Sequence, residues 1–130
     1  MSDSKQPSGK PAGQVTEQPT DKAPALRTIA MPADTNPNGD IFGGWLLAQM
    51  DLAGSIPAVE RAKGRVATVG VQAMTFYKPV MVGDDVSIYA DIMKTGRTSI
   101  TVQVVAYARR RVSGQSVRVT DGEFTYVALG

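Results

Sequence analysis

The feature that most constrains the fold is the stretch 34–60, where a polar loop runs directly into a long apolar segment. The loop is rich in asparagine, glycine and proline, which tolerate positive φ or fix φ, so a tight turn is expected. It ends in Gly43-Gly44. Beyond this pair, apolar residues recur every three or four positions, at Leu46, Leu47, Met50, Ala53 and Ile56. This periodicity predicts a helix.

Apolar residues also lie off that stripe, at Trp45, Leu52, Ala58 and Val59. A helix that is apolar almost all round is expected to be buried on most sides. Its only charged residue before Glu60 is Asp51. A carboxylate in such a helix is costly unless it is paired or used in chemistry. Asp51 is therefore the first candidate for a functional residue.

Composition narrows the chemistry further. The 130 residues, 42% of them hydrophobic, are enough for one domain of ordinary size. The chain has no cysteine and no histidine, which excludes a disulfide framework, a thiol nucleophile and a Ser-His-Asp triad. Cysteine and histidine are also the usual ligands of zinc, and no metal site is expected without them. No cofactor is expected either. A net charge of +2 does not favour nucleic acid, and no apolar run is long enough for a membrane span.

Residues 1–24 differ in composition from the rest of the chain. Serine, glutamine, lysine, proline and glycine dominate this segment. It is predicted to be a disordered tail, because it cannot bury enough apolar surface to offset the entropy of ordering. It also lacks the apolar centre of a secretory signal, so a cytoplasmic protein with a folded domain at residues 25–130 is expected.

The pattern after the helix is typical of strands. Lys63-Gly64 marks the predicted helix exit, with Gly64 as the left-handed cap. Turn signals at residues 83–85, 94–97 and 113–115 separate strand-like runs, and Gly122 is a candidate bulge. The order is strand, loop, helix, then four or five strands joined as hairpins. We therefore predict an α+β fold in which a curved antiparallel sheet wraps around one long buried helix.

Four segments of the chain resemble the hotdog-fold acyl-CoA thioesterases, within them the YciA-like group that is related to the cytosolic acyl-CoA hydrolases. The segments are LRTIAMPADTNPNGDIFGGWLLAQMD, RVATVGVQAMTFYKPVMVGDDV, KTGRTSI and TDGEFTYVAL. They extend over about residues 26 to 129, essentially the whole predicted domain. The resemblance implies the hotdog fold and hydrolysis of acyl-CoA to a free carboxylic acid and CoA.

The residues themselves suggest how such a reaction would proceed. The N–H groups at Gly43 and Gly44 open the helix, so they lack internal partners and carry the positive end of its dipole. They would stabilise the oxyanion of a thioester carbonyl. Asp51 lies two turns further along the same side and is the internal candidate for activating water. Attack by Asp51 itself, through an anhydride, is the competing mechanism. By resemblance, Asn36 positions the water or the thioester carbonyl.

Each of these residues also has a purely structural interpretation. Gly43 and Gly44 are compatible with a simple tight turn into a helix. Asp51 would also fit the role of a structural acid that pairs with an arginine across a subunit interface. Asn36 would also fit the role of a turn former. Both kinds of interpretation remain open from the sequence.

The resemblance also implies contacts with CoA and with other copies of the chain. The turn that contains Arg97, Thr98 and Ser99 offers a guanidinium and two hydroxyls, which would be able to hold a pyrophosphate. The alternative is a solvated hairpin turn. Hotdog domains pair by joining their sheets and place active sites between subunits. A homodimer, and a hexamer built as a trimer of dimers, is therefore expected, with Asn36 and Asp51 of one site on different chains.

Two other functions are compatible with the same fold. One is a hotdog domain that binds acyl-CoA without turnover, as a regulator. The other is a related dehydratase, but those enzymes usually rely on a histidine, which this chain lacks.

Overall fold

One long helix packs against a five-stranded sheet in the computed structural model, which describes residues 18–130. The helix, α1, spans Gly43–Ala62 and follows a short 3-10 turn at Pro32–Asp34. The strands are β1 (Leu26–Ile29), β2 (Val66–Phe76), β3 (Asp85–Thr95), β4 (Ser99–Arg109) and β5 (Ser116–Ala128). Their order across the sheet is β1-β3-β4-β5-β2, with every neighbouring pair antiparallel. The predicted α+β architecture is confirmed, with four strands after the helix.

The core lies between one side of α1 and the facing side of the sheet. Side chains alternate between the two faces of a strand, so every second residue of β4 points at the helix. The buried residues of β4 on this side are Ile100, Val102, Val104, Ala106 and Ala108. Those of the helix are Leu46, Met50, Ala53, Gly54 and Ala58. At about 1.5 Å per residue, α1 is about 30 Å long and reaches across the whole sheet.

The opposite side of α1 is open within one chain. Leu52, Ile56 and Val59 are among the exposed large hydrophobic residues. The sequence suggested burial on most sides of this helix, and a single chain provides it on the sheet side only. An exposed stripe of large apolar side chains is typical of a surface that is covered by another molecule.

Two local predictions are wrong. The left-handed residue at the end of α1 is Lys63, with φ of 56°, and not Gly64. Gly122 is not itself a bulge, because it pairs regularly with Val104 of β4. The irregularity lies opposite Gly122 in the other neighbouring strand, β2, where Ala73 has φ of 55°. The lack of a side chain at Gly122 instead leaves space for Met74, whose sulfur occupies the place of a Cβ atom. The helix also continues through Pro57 without interruption.

The segment before β1 includes the last part of the predicted tail, residues 18–24. Residues 1–17 lie outside the described residues, but residues 18–24 are described and make specific contacts. The Gln18 side chain donates to the Tyr89 hydroxyl and accepts from the Ser116 hydroxyl. Lys22 forms an ion pair with Asp91, 2.6 Å apart. Hydrogen bonds to β3 and β5 thus hold a segment that is poor in apolar residues, an interaction that composition does not reveal.

β2 forms one edge of the sheet. It is eleven residues long and exposes Val69, Val71 and Phe76, whereas the other edge strand, β1, has only four residues. A long apolar edge strand is a ready template for pairing with another chain. None of the helices that the structure describes has the length and apolar character that a membrane span requires.

Candidate functional site

Asn36 organises the loop that leads into α1. Its side-chain oxygen accepts hydrogen bonds from the main-chain N–H groups of Asn38 (2.9 Å) and Asp40 (3.1 Å). Its own main-chain N–H donates to the Asp40 oxygen. The predicted turn-forming role of Asn36 is therefore present. Both of these side-chain hydrogen bonds use the oxygen, and the side-chain NH2 group has no acceptor within residues 18–130.

The first turn of α1 is open to the outside. Phe42 is the N-cap residue and provides no side-chain cap, while the N–H groups of Trp45 and Leu46 both point to the Phe42 carbonyl oxygen. The N–H groups of Gly43 and Gly44 have no acceptor in the described part of the chain. A Cβ atom on either glycine would meet nothing within 4 Å. Two donors at the positive end of the helix dipole thus face free space.

Asp51 lies two helical turns beyond Gly44 and is half-buried. Its carboxylate oxygen Oδ1 accepts a hydrogen bond from the Thr68 hydroxyl at 2.7 Å. Its main-chain oxygen accepts one from the Tyr126 hydroxyl, also at 2.7 Å. Among residues 18–130, no cation forms an ion pair with Asp51. Any ion pair of Asp51 would have to come from another chain, as the alternative of an arginine across a subunit interface requires.

Tyr126 is fully buried beneath the helix. Burial raises the pKa of its hydroxyl above the ordinary value, and the negative charge of Asp51 and the hydrogen bond to that residue raise it further. Tyr126 therefore stays protonated at neutral pH and keeps the hydrogen that it donates to the Asp51 main-chain oxygen. The close approach depends on Gly54, because the Tyr126 hydroxyl occupies the place that a Cβ atom at residue 54 would need.

The predicted CoA-binding residues lie together at the other end of α1. The turn between β3 and β4 is closed by the Gly96 N–H, which donates to the Ser99 oxygen at 2.8 Å. A cavity of about 160 Å³ is lined there by Arg97, Thr98, Ser99 and, from the last turn of the helix, Arg61. Arg61 was not predicted, because only the fold brings the helix end to this hairpin.

Within one chain, these groups are spread along the helix axis. At about 1.5 Å per residue, Asp51 lies about 10 Å from Gly44 and about 15 Å from Arg61. One chain therefore presents an open amide pair, a carboxylate and a basic cavity in a row, and does not gather them into one pocket. No group of three or more acidic, histidine or cysteine side chains within residues 18–130 is arranged to hold a metal ion.

Thr68, Tyr126 and Gly54 were missed by the sequence reasoning. Thr68 and Tyr126 are ordinary residues in their local context, since threonine and tyrosine are both common in strands. Their importance follows from the register that places Thr68 directly opposite Tyr126. No short-range signal in the sequence encodes that pairing.

Known proteins resemble this chain in sequence and in structure. The family model of the thioesterase superfamily matches residues 38–115. An acyl-CoA thioester hydrolase, YciA, of Salmonella typhimurium is 53% identical over 107 residues, which are 80% of this chain and 80% of that protein.

Two solved structures extend the likeness to the fold. A hexameric thioesterase from Yersinia pestis is 56% identical, with a TM-score of 0.81, over 87% of this chain and 91% of the other. A hexameric hotdog-fold thioesterase of Campylobacter jejuni is 42% identical, with a TM-score of 0.81, over 86% of each chain. The helix and the five-stranded antiparallel sheet described above are thus those of a hotdog domain, and this chain belongs to the thioesterase superfamily.

Proposed function

We propose that this protein hydrolyses acyl-CoA thioesters to a carboxylic acid and CoA. The single observation that carries the proposal is that α1 presents both a half-buried carboxylate, Asp51, and the unpartnered N–H groups of Gly43 and Gly44. A water activator and an oxyanion site are the two groups that thioester hydrolysis requires. The curated relative named above, an acyl-CoA thioester hydrolase, supports the same substrate class.

In the proposed reaction, Asp51 accepts a proton from water as the water oxygen attacks the thioester carbonyl carbon. The carbonyl oxygen gains negative charge and is stabilised by the helix N-terminal N–H groups. The tetrahedral intermediate collapses, the carbon–sulfur bond breaks, and the thiolate of CoA takes the proton from Asp51. Direct attack by Asp51, followed by hydrolysis of an anhydride, uses the same residues and remains the competing mechanism.

We also propose that one site uses two chains. A reacting carbonyl must lie about 3 Å from its donors, and its water about 3 Å from the base. Gly44 and Asp51 of one chain are about 10 Å apart along the helix, so one carbonyl and its water would have to bridge a long distance. Asp51 contacts Thr68 on the edge strand β2, so a second copy that pairs with this edge would bring its own Asn36 loop and helix start close to Asp51.

Arg97, Thr98 and Ser99, together with Arg61, are proposed to hold the phosphates of CoA. The exposed apolar edge of β2 and the exposed stripe on α1 support a homodimer. The hexameric state of the solved relatives supports a trimer of dimers. A cytoplasmic location stays a prediction.

The test is an assay of the purified protein against acyl-CoAs from acetyl to palmitoyl, with a thiol reagent that reports free CoA. We expect turnover with release of one CoA for each acid formed, and a chain-length profile that identifies the preferred substrate. Saturable binding of acyl-CoA without release of CoA would instead identify a non-catalytic regulator and would overturn the proposal.

A further inference from the structure

Two side chains of the sheet hold Asp51, one at its carboxylate and one at its main chain. Thr68 donates its hydroxyl hydrogen to Oδ1, and Tyr126 donates its hydroxyl hydrogen to the main-chain oxygen. Thr68 and Tyr126 are directly opposite one another in the pairing of β2 with β5. A single cross-strand pair therefore contacts one helical residue at two points.

We propose that Thr68 is a positioning residue that fixes the orientation of the Asp51 carboxylate for water activation. This inference rests on the proposed function of Asp51. With Oδ1 engaged by Thr68, the second oxygen, Oδ2, is left to accept the proton of the attacking water. Without the hydroxyl, the carboxylate is free to rotate about its terminal torsion, which is broad for aspartate.

The geometry of β2 supports this role. Threonine is branched at Cβ, so its χ1 angle is restricted and its hydroxyl has a defined direction. Regular pairing with β5 is interrupted immediately after Thr68, where Val69 is an extra residue between Thr68 and Gly70. Bulges of this kind re-aim side chains and are enriched beside active sites. The strand thus turns irregular next to the residue that contacts the carboxylate.

The chemistry of the contact supports it as well. A hydroxyl that donates to an ionised carboxylate forms a charge-assisted hydrogen bond, which is stronger than a neutral one. Thr68 is exposed and Asp51 is half-buried, so the contact lies near the surface of the chain. Small errors in the placement of a reacting group are expensive, and a displacement of 1 Å costs up to about 100-fold in rate.

A purely structural role would also explain the contact, since the hydrogen bond links the helix to the sheet. The two roles differ in what they affect. A structural link changes the free energy of unfolding and leaves kcat per folded site unchanged. A positioning contact lowers kcat, leaves KM for the acyl-CoA nearly unchanged, and is restored by any side chain that returns the hydroxyl.

The test compares Thr68→Val, which removes the hydroxyl and keeps the shape, with Thr68→Ser, which keeps the hydroxyl. Thr75→Val, the same change on the same strand, is the matched control. We expect Thr68→Val to lower kcat by about 10- to 100-fold, with KM within about twofold. Thr68→Ser should recover most of the lost rate, and Thr75→Val should hydrolyse at the rate of the unaltered protein. Thermal unfolding of each variant checks that the protein is folded at the temperature of the assay.

Three outcomes would overturn the inference: full kcat in Thr68→Val, a change confined to KM, or equal losses in the Val and Ser variants. Asp51→Asn in the same assay separates this failure from that of the proposed function. A slow Asp51→Asn beside a fully active Thr68→Val rejects only the role of Thr68. A fast Asp51→Asn rejects the role of the aspartate itself. A crystal structure of Thr68→Val gives a second readout, in which the Asp51 carboxylate should occupy more than one orientation.

Discussion

The hydroxyl of Tyr126 occupies the space that a Cβ atom on Gly54 would need, and it donates a hydrogen bond to the main-chain oxygen of Asp51. The helix thus approaches the sheet closely at Gly54, three residues after the proposed catalytic base. The approach requires a residue without a side chain on the helix and a large polar residue beneath it. Packing in this layer and the position of Asp51 are therefore coupled.

The first prediction concerns Gly54→Ala. Alanine favours a helix by about 1 kcal/mol over glycine, so an open helical site would be stabilised. At residue 54 the new methyl group would collide with the Tyr126 hydroxyl and the Val104 side chain, and overpacking costs about 1–3 kcal/mol. We expect a lower free energy of unfolding in urea and a lower kcat. Gly43→Ala, where the added Cβ meets nothing within 4 Å, is the control for unfolding and should not be destabilised.

The second prediction concerns the end of α1. Lys63 adopts the left-handed conformation, which costs a residue with a Cβ atom about 1–2 kcal/mol. Lys63→Gly should therefore raise the free energy of unfolding by about 1 kcal/mol, measured by denaturant titration.

Gly64→Ala is the matched control for the helix end, because the sequence alone favoured Gly64 as the left-handed residue. Gly64 does not have a positive φ, and an added Cβ would meet nothing within 4 Å. This variant should be nearly neutral. A strong loss of stability in Gly64→Ala, with no gain in Lys63→Gly, would contradict the observed cap.

The third prediction concerns alkaline pH. Burial, followed by the charge of Asp51, raises the pKa of Tyr126 in the folded state. Above pH of about 10 the unfolded chain releases this proton while the folded chain keeps it, so the free energy of unfolding falls as pH rises. Tyr126→Phe should be less stable at neutral pH, because it loses the hydrogen bond, yet its stability should decline less steeply above pH of about 10. Equal slopes in the two proteins would argue against this assignment.

The pKa values of Tyr77 and Tyr107 are also raised, in both cases mainly by burial. Both residues remain in the Tyr126→Phe variant, so some alkaline loss should persist. The measured quantity is the difference in slope between the two proteins.

The fourth prediction tests whether one site uses two chains. Asp51→Asn and Asn36→Ala proteins should each be slow alone. If Asp51 and Asn36 of one site come from different subunits of a dimer, mixing and re-association give mixed dimers that each hold one intact site. Random pairing then restores about a quarter of the full rate. A mixture no faster than its components would place both residues of a site on one chain.

The fold was largely predictable because its signals are local. The loop into the helix, the helical periodicity and the turns between strands are each encoded within a few residues. Predictions failed where longer contacts decide the outcome. The helix ends with Lys63 in the left-handed conformation, one residue before the glycine that the sequence favoured. At Gly122, the glycine accommodates a side chain from the neighbouring strand, which is not visible along β5 itself.

The candidate site shows the same limit. Asp51 was identifiable as the only charge in the helix before Glu60, and Gly43-Gly44 as the start of that helix. The contacts of Asp51 were not, because Thr68 and Tyr126 reach it only through the register of β2 with β5. Arg61 lines the same cavity as Arg97 only because α1 ends beside the turn between β3 and β4. Pairing between distant segments determines each of these contacts.

The most direct test of the central claim is the value of kcat for Asp51→Asn on an acyl-CoA that the unaltered protein hydrolyses. The amide keeps the size of the side chain and the hydrogen-bonding capacity of its oxygen, but it neither accepts a proton from water nor attacks as a carboxylate. A role as base or nucleophile predicts a loss of about 100- to 10,000-fold in kcat, with the folded state intact. Hydrolysis by Asp51→Asn at close to the original rate would contradict the account.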